Sequence, residues 1–191
     1  MPTVSEMNPG EARSENGTPR WILLALALIT LAIYAPVRNH EFIDYDDNCY
    51  VYANPLINQG FSLAGLRFAF LELHGTLTYW HPVTWLSHML DCELFGVNPG
   101  PQHVVNVIFH GANVVLLFLW LTSLTGRPLR SGAVAMLFAL HPLQVDTVAW
   151  IAERKNLLSA MFWILALWGR PAQAGRALRA GPAAVARLAR I

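Results

Sequence analysis

Charged side chains are scarce in this sequence, at 13% of 191 residues, while 54% are hydrophobic, so the polar surface of a compact soluble domain is missing. Basic charge has no excess either. A formal net charge of +1 leaves no cationic face for phosphates, which excludes nucleic acid as a partner. Cysteine is nearly absent: Cys49 and Cys92 are too few for a disulfide framework or a Cys-x-x-Cys metal site. They read as small apolar thiols, with pairing open only if their shared loop faces an oxidising compartment. Histidine occurs seven times, yet there is no His-Glu-x-x-His motif. His103 with His110 is the best pair on offer, and without a facing ligand set it does not make a zinc or haem site.

What is present is a series of uncharged runs. Residues 1–20 are polar and expected to form a disordered cytoplasmic tail. Trp21 to Val37 follows without a charge, at the lower limit for a spanning helix and with no Ala-x-Ala site after it, so it reads as an uncleaved anchor. A long loop over 38–102 then carries two expected interfacial helices. Ser62 can cap the first, in which Leu63, Leu66, Phe70 and Leu73 recur at helical spacing. The second starts near Pro82 and ends before Gly96, and its His88, Asp91 and Glu93 argue that it lies in the interface rather than spanning.

His103 to Leu124 is the second expected span. His103, Asn106, His110 and Asn113 share one of its faces, which must turn toward other helices or a wet cavity, and interhelical hydrogen bonding is the favoured reading. Gly126, Arg127, Pro128 and Arg130 make a short basic turn, the mark of the cytoplasmic side, which puts the amino terminus inside and the long acidic loop outside. A third span is expected over 131–150, with a kink or end at His141 and Pro142. The segment 157–168 is too short to cross unaided. After it, residues 169–191 shift to Ala, Arg, Gly and Pro with no acid, which reads as a frameshifted or truncated end or as a basic tail held by anionic lipid. The expected fold is all-α and multi-pass, with three full spans plus a short fourth and an outer loop bearing interfacial helices.

The densest charge is Asp44, Asp46 and Asp47 in EFIDYDDNCYVYANP, just beyond the first span. Carboxylates this close either solvate, bind a divalent cation, or supply a poised base. With WHPVTWLSHMLDCELFGVNPG at 80–100 and HPLQVDTVAWIAERKN at 141–156, this stretch resembles the amino-terminal membrane region of the tetratricopeptide-repeat-containing O-mannosyltransferase-like family, within the GT-C glycosyltransferases. The resemblance covers residues 21–168 and implies a partial GT-C-like membrane domain. It departs from the family pattern at Asp146 and Asn156, where Glu and an acidic residue are usual.

What the resemblance implies is an enzyme in the cell membrane, a bacterial inner membrane by expectation, that moves a sugar, mannose foremost, from a polyprenyl-phosphate donor to protein hydroxyls on the outer face. The chemistry of such a transfer asks for a base, an oxocarbenium-like centre and positive charge at the departing phosphate. Asp46 and Asp47 are the expected catalytic residues, with Asp44, His81, His141, Asp146, Glu153, Arg154 and Lys155 binding substrate. The partners are then the bilayer, the lipid-linked donor and a protein acceptor. The rival reading is a non-enzymatic membrane scaffold or transporter fragment.

Overall fold

In a computed structural model the protein is described over residues 19–71 and 80–168; the expected tails, and Leu73 at the end of the first loop helix, lie outside these. Among the described residues every regular element is helical. Helix α1 (Arg20–Tyr34) buries Ile22, Leu26, Thr30 and Tyr34 on one face. Leu24, Leu28, Leu31 and Ile33 remain exposed, the arrangement of a helix solvated by lipid on its other sides. Pro36 has no N–H to give an α-helical bond, and the chain tightens into a 3₁₀ turn over Ala35–Asn39. Together these form one 20-residue apolar segment of mean hydropathy 1.9.

The loop helices are α2 (Leu63–Leu71) and α3 (Pro82–Phe95). Ser62 Oγ accepts from the Gly65 N–H at 2.9 Å, which is the expected cap. In α2 the small residues Gly65 and Ala69 face the protein, while Leu63, Leu66 and Phe70 point away from it. That outward apolar stripe suits a helix lying on a membrane. Helix α3 differs from expectation in its ionisable face: His88 and Asp91 are buried in the protein, and only Glu93 is exposed. A charge partner from a later helix, described below, makes that burial tolerable.

Helix α4 (Pro99–Thr125) is central, packing against α1, α5 and α7. It starts four residues before the expected span because Asn98 accepts from the Gly100 N–H and Pro99 suits a first turn. It stops at Gly126, whose φ of +66° is easy only for glycine. Helices α5 (Pro128–Leu140) and α6 (Leu143–Ala149) meet at 65° across His141 and Pro142, the expected kink. A 3₁₀ turn (Ile151–Glu153) then leads into α7 (Arg154–Trp168). Two of the described helices are long and apolar enough to cross a membrane, or three spans if the bent α5–α6 pair counts as one.

Three apolar clusters hold these elements. Ile22 and Leu26 of α1 meet Val114 and Phe118 of α4 and Ala135 and Ala139 of α5. Tyr34, Val37, Val107, Val148 and Leu157 join the bundle nearer the loop. The loop has its own core of Tyr50, Val51, Ile57, Ala69, Trp85, Met89 and Cys92, into which Ile151 and Ala152 insert. The long loop is therefore a packed cap on one end of the bundle, and the α6–α7 connection is part of it.

Candidate functional site

The polar face of α4 explains how that cap is seated. His103, Asn106, His110 and Asn113 are all fully buried, and each reaches a main-chain carbonyl. Asn106 Nδ2 donates to the Trp150 carbonyl (2.9 Å) and Asn113 Nδ2 to that of Leu157 (2.9 Å). His110 Nε2 lies 3.1 Å from the Ala139 carbonyl and must be the protonated nitrogen, since a carbonyl only accepts. The Ala139 carbonyl needs that donor. Its intrahelical partner would be the Leu143 N–H, which instead donates to His141 Nδ1 across the helix break. The stripe thus makes interhelical hydrogen bonds, as favoured from the sequence.

Arg154 is the second anchor. It is fully buried at the start of α7, 2.5 Å from the Asp91 carboxylate on α3. Its Nε donates to Asn106 Oδ1 (2.7 Å), and its terminal nitrogens donate to Ser87 Oγ (3.1 Å) and the Gln102 carbonyl (2.9 Å). Three guanidinium hydrogen bonds and one ion pair thereby hold this side chain across α3 and α4. Beside it, His88 is wholly buried; burial, reinforced by the Arg154 charge, holds its pKa well below the ordinary value, so the ring is neutral.

Above these anchors the two loops touch. Asp47 is fully buried, and its carboxylate accepts from the Ile43 N–H and, 105 residues along the chain, from the Ala152 N–H, both at 2.9 Å. Burial pushes this carboxyl above the usual carboxylate range, and the two N–H donors act against that. Asp46 is half-buried, and its carboxylate makes no hydrogen bond or ion pair among the described residues. Asp44 is exposed and accepts from the Tyr52 hydroxyl at 2.8 Å. The three aspartates do not gather into a cage: among the described residues no group of three His, Cys, Asp or Glu side chains could hold a metal ion.

Lys155 is the accessible cation of the pair with Arg154. Its Nζ lies 2.6 Å from Glu153 and over the rings of Tyr50 (5.2 Å) and Trp150 (5.9 Å). Asn156 donates to the other Glu153 oxygen. The His81 ring stacks on Tyr50 (5.3 Å) and on Trp85 (5.0 Å). The fold therefore gathers Asp47, His81, Glu153 and Lys155 around the Tyr50 and Trp150 rings. His141 and Asp146 stand exposed at the helix break and on α6; the Asp146 carbonyl accepts from the Trp150 N–H, but no side-chain hydrogen bond or ion pair ties either residue to that group among the described residues.

Sequence reading missed Tyr50, Trp150, Asp91, Ser87 and Gln102. For Asp91 the usable signal was an unpaired carboxylate and an unpaired Arg154 in otherwise apolar surroundings; the aromatics carried none beyond their number. The arrangement offers an unengaged carboxylate at Asp46, a lysine on an aromatic floor, and a frame that locks both loops.

Compared with curated proteins, the chain is 32% identical over 139 residues to the protein O-mannosyl-transferase Tmtc1 of Drosophila melanogaster, a match covering 69% of this chain and 16% of that protein. It is 31% identical over 80 residues to the protein O-mannosyl-transferase TMTC2 of Mus musculus and of Homo sapiens, over 42% of this chain and 10% of each relative. No protein-family model matches, and no solved structure does. The resemblance read from the motifs is borne out: the chain is a distant relative of these transferases, similar to a small part of their length.

Proposed function

We propose that this chain forms part of a membrane glycosyltransferase that moves a sugar from a polyprenyl-phosphate carrier to a protein hydroxyl on the outer face. The observation that carries the reading is the Asp47 to Ala152 hydrogen bond, which ties the acidic loop to the segment holding Glu153 and Lys155. Distant similarity to protein O-mannosyl-transferases supports the reaction class, with mannose as the sugar and a hydroxyl-bearing protein as acceptor.

Asp46 is the base in this reading, because its carboxylate is not engaged elsewhere. It takes the proton from the acceptor hydroxyl as the new bond to the anomeric carbon forms and the bond to the carrier phosphate breaks. Negative charge grows on the departing phosphate, and Lys155 stands on its aromatic floor to meet it. Asp47 and Arg154 act through others, as positioning residues that hold the two loops in register.

The test is Asp46→Asn in the complete enzyme, with Lys155→Ala beside it. Asp46→Asn should lower turnover by about 10²-fold or more with little change in donor affinity. Lys155→Ala should weaken donor binding. Wild-type turnover in Asp46→Asn would remove the assignment, and failure of the unaltered protein to bind a polyprenyl-phosphate sugar saturably would favour a scaffold.

A further inference from the structure

At the end of the bundle away from the packed loop, α4, the Gly126 turn and α5 enclose an open groove of about 430 Å³, lined by Leu121, Thr125, Arg127, Arg130, Ser131 and Val134. Both arginines are exposed, and neither has an acidic partner among the described residues, whose ion pairs are Arg154 with Asp91 and Lys155 with Glu153. Every described carboxylate belongs to the long loop or to the α6–α7 stretch. Two cations therefore face a groove with no carboxylate among the described residues to neutralise them.

The groove's walls differ along the helix axis. The Thr125 and Ser131 hydroxyls, 3.2 Å apart, hold the turn at the level of the arginines. Leu121 stands one turn back along α4, about 6 Å deeper at 1.5 Å per residue. Val134 occupies the matching depth on α5, more than half exposed. A soluble anion would use only the polar rim. A phospholipid has a phosphate for the arginines and, a few ångströms deeper, the apolar root of its acyl chains for Leu121 and Val134. The N-terminal turn of α5, which has no side-chain cap, adds favourable partial charge at the rim.

We infer that this groove is a binding site for the headgroup of an anionic phospholipid, with Arg127 and Arg130 on its phosphate. It stands independently of the transferase reading, since it lies at the other end of the bundle. The site would anchor the α4–α5 turn at one leaflet, where juxtamembrane arginines gain most from anionic lipid.

The test uses the full chain in neutral detergent, titrated with phosphatidylglycerol, phosphatidylcholine or inorganic phosphate. Bound lipid is counted by native mass spectrometry, and the unfolding midpoint is followed in parallel. Phosphatidylglycerol should bind saturably and raise the midpoint. Arg127→Gln with Arg130→Gln should weaken that binding on the order of 10-fold or more, since each arginine near an anionic surface contributes about 1 kcal/mol. Arg38→Gln, at the opposite end of α4 beside Gly100, should leave it unchanged. Equal binding of phosphatidylcholine, equal stabilisation by inorganic phosphate, or undiminished binding in the Arg127 and Arg130 variant would each overturn the site.

Discussion

Removing the Arg154 guanidinium would strand the Asp91 carboxylate in a site where both partners are almost fully buried. A lone buried charge is costly, whereas loss of both charges together is tolerated far better. Arg154→Met should therefore destabilise the protein by about 3–5 kcal/mol. Adding Asp91→Asn should restore much of that loss. Denaturant unfolding in detergent micelles, with all four combinations measured as a cycle, reads the coupling directly. Additive effects of the two substitutions would show that the pair is not the anchor described above. Lysine cannot stand in for this residue, because its ammonium lacks the planar fork that reaches Asn106, Ser87 and Gln102 at once.

Among the elements, the α5–α6 pair depends most on a neighbour. Its break leaves the Ala139 carbonyl without an intrahelical donor inside the bundle, and His110 on α4 supplies one, with the Tyr34 hydroxyl of α1 at the longer distance of 3.5 Å. One polar contact thus pins three helices at the bend. His110→Phe keeps an aromatic ring, a somewhat larger one, and removes the donor. It should cost about 1–3 kcal/mol, the penalty of an unsatisfied buried acceptor. Unfolding midpoints measured for His110→Phe and for His110→Gln, which retains an N–H, should separate: the glutamine variant should keep part of the stability. Equal losses in both would mean that packing rather than the hydrogen bond holds the bend.

For the molecule as a whole, charge is sorted between ends: the described carboxylates gather at the packed loop, and Arg127 and Arg130 mark the opposite turn. Short basic turns stay in the cytoplasm, so the loop end should face outward. Cys49 is exposed on that end and is the reporter; Cys92 is buried. Burial, with Asp91 adding to it, pushes the Cys92 thiol up to about 11, so at pH 8 it stays a thiol and is slow to react. Because this thiol ionises at higher pH folded than unfolded, its contribution to stability is lost as pH rises from about 9 through that value. In intact cells a membrane-impermeant maleimide at pH 8 should modify Cys49 and spare Cys92. Labelling of Cys49 only after the membrane is opened would invert the orientation.

The helical class, the apolar runs, the Ser62 and Pro82 helix starts, the Gly126 stop and the bend at His141 and Pro142 were all legible in the sequence. Each depends on residues within a few positions of one another, through periodicity, capping and backbone sterics. The polar stripe on α4 was legible as a face, because 100° per residue is enough to place it. Its partners were not. They are main-chain carbonyls at the ends of α5 and α6 and in the first turns of α7, and no side chain marks a carbonyl in advance. The same holds for the site: a cluster of aspartates announced itself, but which of them is spent on structure did not. Asp47 is committed because Ala152 lies against it from 105 residues away, and Arg154 because Asn106 and Gln102 meet it from 48 and 52 residues away. Contacts at that separation follow from how the helices pack, which only the tertiary structure decides.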